Sequence, residues 1–155
     1  MKRLYLVALL GTMLAVGAVL GAFVTRYVWQ TSMTMRLTGA LTYEVEIRHL
    51  NGTPITNYNW GDFAYEEAKT LSVNIVYLGN ASEAYVYWNT TGLPSGWSVE
   101  IWDFLYGWDW APNTTSYFTT DEIRLLDIDL TAPASGELNV PLGFTLNFVS
   151  GEETT

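Results

Sequence analysis

Arg26-Tyr27-Val28-Trp29-Gln30-Thr31-Ser32-Met33-Thr34-Met35-Arg36-Leu37 is the stretch that decides the fold. Tyr27, Trp29, Met33, Met35 and Leu37 fall on one side of an extended chain, with Thr31 in the gap. Arg26, Gln30, Ser32, Thr34 and Arg36 fall on the other, with Val28 as the exception. Successive side chains of an extended backbone point to opposite faces, so a period of two over 12 residues predicts a long strand. Gly39 breaks the pattern. Leu41, Tyr43, Val45 and Ile47 resume it on a second expected strand, which the turn pair Asn51-Gly52 closes.

Upstream the pattern is of another kind. Met1-Lys2-Arg3 is basic, and residues 4–24 follow without a charge, long for a signal core and long enough to span a bilayer. Val16-Gly17-Ala18 and Val19-Leu20-Gly21 offer small-residue cleavage patterns, so residues 1–25 read as a signal peptide or a retained membrane anchor. In either case the basic end stays inside and the remainder is exported. The expected organisation is this export segment, preformed as an apolar helix, then the strand over residues 26–38, a β-sandwich domain over 39–150, and a polar tail over 151–155.

Downstream, short alternating segments follow at the spacing of a sandwich. Leu71, Val73, Ile75 and Tyr77 alternate before the turn Gly79-Asn80. Residues 84–90 carry Val86 and Trp88 on one side, Tyr85 and Tyr87 on the other. Pro94-Ser95-Gly96 turns into a strand over residues 98–102, and a long loop over 103–116 carries Tyr106, Trp108 and Trp110. Residues 123–130 read as a strand whose phase slips at Leu125-Leu126, the mark of a bulge. A Pro/Gly loop over residues 131–137 leads to a last strand through Leu142, Phe144, Leu146 and Phe148. Helical periodicity ends with the export segment, and the fold class expected is all-β.

Composition narrows the function. The net charge of −9 repels phosphate backbones, which argues against nucleic acid as a partner. There is no cysteine, so disulfides and thiol chemistry contribute nothing. His49 is the single histidine, beside Arg48 near a turn, and Glu66-Glu67, with Lys69 nearby, point to opposite sides of an extended chain. With no second histidine, cysteine or phosphate-binding glycine loop, an enzyme is not expected, nor a cofactor.

Three strings resemble those of archaeal and bacterial immunoglobulin-like surface domains: Trp60-Gly61-Asp62-Phe63, Leu93-Pro94-Ser95-Gly96-Trp97, and Asp129-Leu130-Thr131-Ala132-Pro133-Ala134 with Gly136 after it. Together they span residues 60 to 148. The order of export segment, immediate strand and sandwich resembles the TasA/camelysin group of matrix-fibre proteins and archaeal bundling-pilus subunits. That resemblance implies an Ig-like or jelly-roll sandwich and donor-strand assembly, in which Tyr27, Trp29, Met33, Met35 and Leu37 complete the sheet of the next subunit and Gly39 is the hinge. The partner implied is the chain itself, in a head-to-tail homopolymer forming an extracellular filament. Camelysin is classed as a metalloprotease, but HExxH is absent here, so that activity does not carry over.

Other readings compete. The strand over residues 26–38 suits its own sandwich or a membrane-proximal stalk as well as a neighbour's groove. The chain as a whole also reads as a membrane-anchored monomeric module binding glycan or protein. Asp103, Asp109, Asp121, Glu122, Asp127 and Asp129 contain oxygen ligands suited to calcium, yet match no EF-hand spacing and read better as a solvated face, with no metal expected. Trp102, Tyr106, Trp108 and Trp110 suit a sugar platform, a core or a subunit interface. Asn51, Asn80, Asn89 and Asn113 begin Asn-x-Ser/Thr sequons at expected turns or strand ends, where N-linked glycans are tolerated.

Overall fold

The computed structural model describes residues 31–39, 41–136 and 142–151. The export segment and the residues Tyr27 and Trp29 of the expected donor strand lie outside the described residues. The described chain is all-β, arranged as two five-stranded sheets whose inner faces share one hydrophobic core. Its strands are β1 (Thr31–Thr38), β2 (Val45–His49), β3 (Asn57–Gly61), β4 (Ala68–Tyr77) and β5 (Glu83–Thr91), then β6 (Ser98–Asp103), β7 (Trp108–Asp109), β8 (Ser116–Thr119), β9 (Ile123–Thr131) and β10 (Leu142–Gly151). One sheet runs β3-β1-β10-β5-β8 and the other β2-β4-β9-β6-β7. Among the described residues, no helix is long and apolar enough to cross a membrane.

Alternation accounts for the core. Val73 and Ile75 of β4, Val86 and Trp88 of β5, and Leu146 and Phe148 of β10 all point inward and are buried. Trp97, placed by the Pro94 turn through a bond from its N–H to the Pro94 carbonyl (3.2 Å), packs edge-on against Phe63 at 5.1 Å. The Gly52 N–H closes the Asn51-Gly52 turn on His49 O at 2.8 Å. Gly52 adopts φ +87°, a conformation that a Cβ disfavours.

β1 lies inside its own sheet. It pairs in parallel with β10, Met33 opposite Phe144 and Met35 opposite Leu146, and antiparallel with β3 over its first half. Within the chain this is the own-domain arrangement rather than an extended arm. Met33 and Met35 are buried as their phase requires. Leu37 departs from that row, being 37% exposed. β3 pairs with β1 only over Thr31 to Thr34, so the far end of β1 has no strand beside it on that flank among the described residues.

The expected boundaries shift in four other places. Leu41–Tyr43 is a 3-10 turn instead of the start of a strand. The expected long loop after Asp103 contains β7, and the short strands β3 and β8 appear where no strand was expected. β9 has no bulge: its register against β4 is continuous, and Arg124, Leu126, Ile128 and Leu130 all face inward. Leu125 belongs to the outer face, and the apparent slip comes from a charged residue holding a core position. Gly151 ends β10 and is not part of a tail.

Gly39, the expected hinge, is a bend packed against the last strand. A Cβ there would overlap Ser150 Oγ and come within 3.0 Å of the Ser150 carbonyl oxygen. Gly39→Ala is therefore expected to cost about 1–3 kcal/mol, as overpacking does, with part of the loss recovered by adding Ser150→Gly. Urea denaturation checks this, and an unchanged midpoint for Gly39→Ala would show that the bend has room to spare.

Candidate functional site

One end of the sandwich gathers four loops. Val45 pairs with Tyr77, Val76 with Ile123, Glu83 with Thr119, and Asp103 with Leu126, so residues 41–44, 78–82, 104–107 and 120–122 all lie there. Backbone bonds tie them together: Leu78 N–H and Gly79 N–H to Glu44 O (2.8 and 3.0 Å), Ala81 N–H to Thr42 O (3.1 Å), and Tyr77 N–H to Glu122 O (3.0 Å). Tyr77 adds its hydroxyl, which donates to Thr42 O and Ala81 O at 3.0 Å each. Burial pushes the pKa of that phenol up.

Beneath this end lies a buried ion cluster. Arg124 is 1% exposed and Asp103 0%. Arg124 Nη1 donates to Asp103 Oδ2 at 3.2 Å and to Ser116 Oγ at 2.7 Å, and its Nε pairs with Glu122. The guanidinium lies over two aromatic faces, 3.6 Å from the Phe118 centroid and 4.7 Å from that of Tyr106. Glu122 is set by opposing effects. Burial raises its pKa, but donation from the Thr119 N–H, Arg124 and the Thr119 hydroxyl outweighs burial and holds the carboxyl below its ordinary range.

The cluster shapes the surface above it. Asp103 Oδ1 accepts the Leu105 N–H at 2.9 Å, and its carbonyl accepts the Gly107 N–H at 2.8 Å, with Gly107 at φ +65°. This tight turn leaves Phe104 (49%), Leu105 (58%) and Tyr106 (52%) in solvent. Trp108 follows, edge-on to Tyr106 at 6.4 Å and 84°. Tyr106, Trp108, Thr115, Ser116 and Tyr117 line an open cleft of about 440 Å³. The Tyr117 hydroxyl donates to Glu83 at 2.8 Å, which raises its pKa. The cleft walls are aromatic rings and hydroxyls, the kind of surface on which sugars or other proteins pack.

The remaining candidates are spread over the molecule. Of the four aromatics, Trp110 takes the core reading: it is buried, its indole N–H donates to Thr114 O at 2.7 Å, and it packs against Phe118 and Phe148. Trp102 is on the outer face opposite Asp109 and Asp127. Asp103 and Glu122 belong to the Arg124 cluster instead of a solvated face, because a buried cation needs them. Asp127 and Asp129 do face outward, accepting the hydroxyls of Ser72 (2.5 Å) and Thr70. No group of three or more metal-ligating side chains occurs among the described residues. His49 faces Tyr58 at 6.4 Å, and Glu67 accepts the Ala64 N–H at 2.6 Å.

Of the sequon asparagines, Asn51, Asn80 and Asn113 are exposed in turns or loops. Asn89 differs, being half-buried within β5, where its Oδ1 accepts from Asn147 Nδ2 at 3.0 Å. Compared with protein-family models and with curated proteins, the chain matches none. Arg124 is the residue that sequence reasoning passed over. Its signal is the inward row 124, 126, 128, 130, whose charged first member makes the apolar phase look slipped at Leu125-Leu126.

Arg124→Met would leave the Asp103 carboxylate buried and unpaired, so a loss of about 3–5 kcal/mol is expected. Adding Asp103→Leu should recover most of it, since an apolar pair of similar volume replaces the ion pair. Denaturant titrations of the single and double variants measure both, and a loss for Arg124→Met no larger than the ~1 kcal/mol of a surface pair would overturn the assignment.

Proposed function

We propose that the chain is an exported structural subunit of an extracellular filament, an Ig-like or jelly-roll sandwich of the TasA/camelysin kind that assembles by passing its first strand to the next copy. The export segment over residues 1–25 delivers the domain to the cell surface, where it is either removed or kept as an anchor. The observation that carries this reading is the place of β1. It is the N-terminal strand of the described domain, yet it has partners on both edges, parallel β10 and antiparallel β3. Withdrawing it opens a strand-wide groove floored by the positions of Met33 and Met35, and the same segment of another copy fits that groove with the same contacts.

The link sets the geometry. From Thr38 to Val45 an extended chain reaches at most about 25 Å. A ten-residue strand such as β4 is about 34 Å long, whereas five strands are about 24 Å across. Exchange in the observed register thus favours sandwiches lying side by side, each giving a strand to the next. The repeat is heterologous, as an open filament requires.

Thr34 and Asn57 are register partners across β1 and β3, with Oγ1 and Oδ1 3.1 Å apart. In a chain without other thiols, Thr34→Cys with Asn57→Cys reports which copy holds the strand. Exchange predicts a covalent ladder on non-reducing gels of oxidised assemblies, with a subunit spacing no greater than about 25 Å in micrographs. A bond formed only within single chains would overturn the reading of assembly by strand exchange. It would favour the second one, a surface-anchored monomer binding glycan or protein through the Tyr106, Trp108 and Tyr117 cleft.

The chain carries N-linked glycan in this reading, at Asn51, Asn80 or Asn113, whose exposure leaves room for it. Glycopeptide mapping of native protein should find at least one of the sequons occupied, and unmodified asparagine at all of them, Asn89 included, would remove glycan from the account.

A further inference from the structure

The apolar turn over residues 104–106 and the notch at the far end of β1 have opposite positions in the fold. The turn joins β6 to β7, at one edge of its sheet. The notch lies by the link from β1 to β2, and β2 is the other edge of that sheet. Both are at the same end of the sandwich. The turn presents Phe104 and Leu105, about half exposed and consecutive, a pattern that a solvated loop has no use for. Its backbone is fixed by Asp103, so the side chains are held outward rather than free to fold back. The notch has a volume of about 120 Å³ and is lined by Leu37, Thr38, Gly39, Glu44, Val45 and Ser150. Leu37 is there because its side chain lacks the cover that Met33 and Met35 have.

We infer that these two surfaces are the halves of one interface between copies of this chain: the Phe104-Leu105 turn of one subunit packs on the Leu37 notch of the next. This rests on the filament reading, and deepens it by naming the contact beside the exchanged strand. Three observations favour a second copy over another occupant. A knob and a notch on opposite edges make a heterologous pair that repeats without closing. A shift of one sheet width, about 24 Å, brings the turn of one copy beside the link of its neighbour. The reach of that link, at most about 25 Å, is enough to span the same shift. With the strand exchanged, Leu37 and Thr38 of each notch come from the copy that gives the strand, while Glu44, Val45 and Ser150 belong to the copy that receives it.

Thr38 and Leu105 are too far apart in one chain to be bridged, since they lie toward opposite edges of the sandwich. Thr38→Cys with Leu105→Cys is therefore expected to give multimers on mild oxidation of assemblies, while neither single-cysteine variant dimerises. Phe104→Ser with Leu105→Ser, both at exposed positions, should keep the monomer's unfolding midpoint and raise the concentration needed for assembly by about ten-fold or more. Multimers from the Thr38/Leu105 pair without a ladder from the Thr34/Asn57 pair would uphold this contact and remove strand exchange. A Thr34/Asn57 ladder with the Thr38/Leu105 pair remaining monomeric, or serine variants assembling at the wild-type concentration, would overturn this contact and leave exchange intact.

Discussion

The parallel pairing of β1 with β10 is the contact on which the rest of the sandwich depends. β10 carries Phe144, Leu146 and Phe148 into the core, and β3 is short, so the middle of that sheet is complete only when β1 sits between them. Met33 and Met35 then cover the core from the β1 position, each worth roughly 1.5–3 kcal/mol of buried apolar surface. With no disulfide in the chain, that burial and the two flanking hydrogen-bond ladders fasten the N-terminal strand. Gly39 belongs to the same device. Its missing side chain lets the chain turn off β1 directly against Ser150, at the close of β10.

The second organising feature is a charge where a hydrocarbon would be expected. A buried arginine is costly unless each of its donors finds an acceptor and its faces find contact. Arg124 has Asp103, Glu122 and Ser116 for its donors, and Phe118 and Tyr106 against its plane. Once Asp103 is buried to meet Arg124, its other oxygen needs a donor, and the Leu105 N–H supplies it. The exposed aromatic turn is thus a consequence of satisfying a buried ion pair.

Much of this was legible in the sequence. Alternation in β4, β5 and β10 gave the inward faces directly, because hydrophobic burial on one side of a pleated strand leaves a period of two. β3, β7 and β8 were not legible for the opposite reason. Two to five residues are too few to show a period, and Tyr58, Trp108 and Tyr117 are amphipathic rings that suit either face. Arg124 is passed over by sequence reasoning because periodicity assumes that core positions are apolar. The aromatic group Trp102, Tyr106, Trp108 and Trp110 is divided by topology: the connection from β7 in one sheet to β8 in the other carries Trp110 into the core, and no spacing rule foretells that.

Strand exchange conserves contacts, and this decides where its driving force must come from. The ladder of β1 with β10 and β3, and the burial of Met33 and Met35, are the same whether the strand is the chain's own or a neighbour's. What differs is the connection. A short link keeps β1 at a high effective concentration near its own groove, in the millimolar range for a flexible tether, so a monomer holding its own strand is the resting state in dilute solution. Polymerisation needs a contribution absent from the monomer, either strain released when the bend at Gly39 opens or surface buried only between copies. The described structure has exposed apolar surface, Phe104 and Leu105, at the end where the link emerges, and the proposed lateral contact would bury it. Its Asp103 support holds the turn in place beforehand, so such a contact would cost little ordering. Under the proposed filament reading, such a subunit would hold its own strand while alone and would exchange it only where another copy lies alongside.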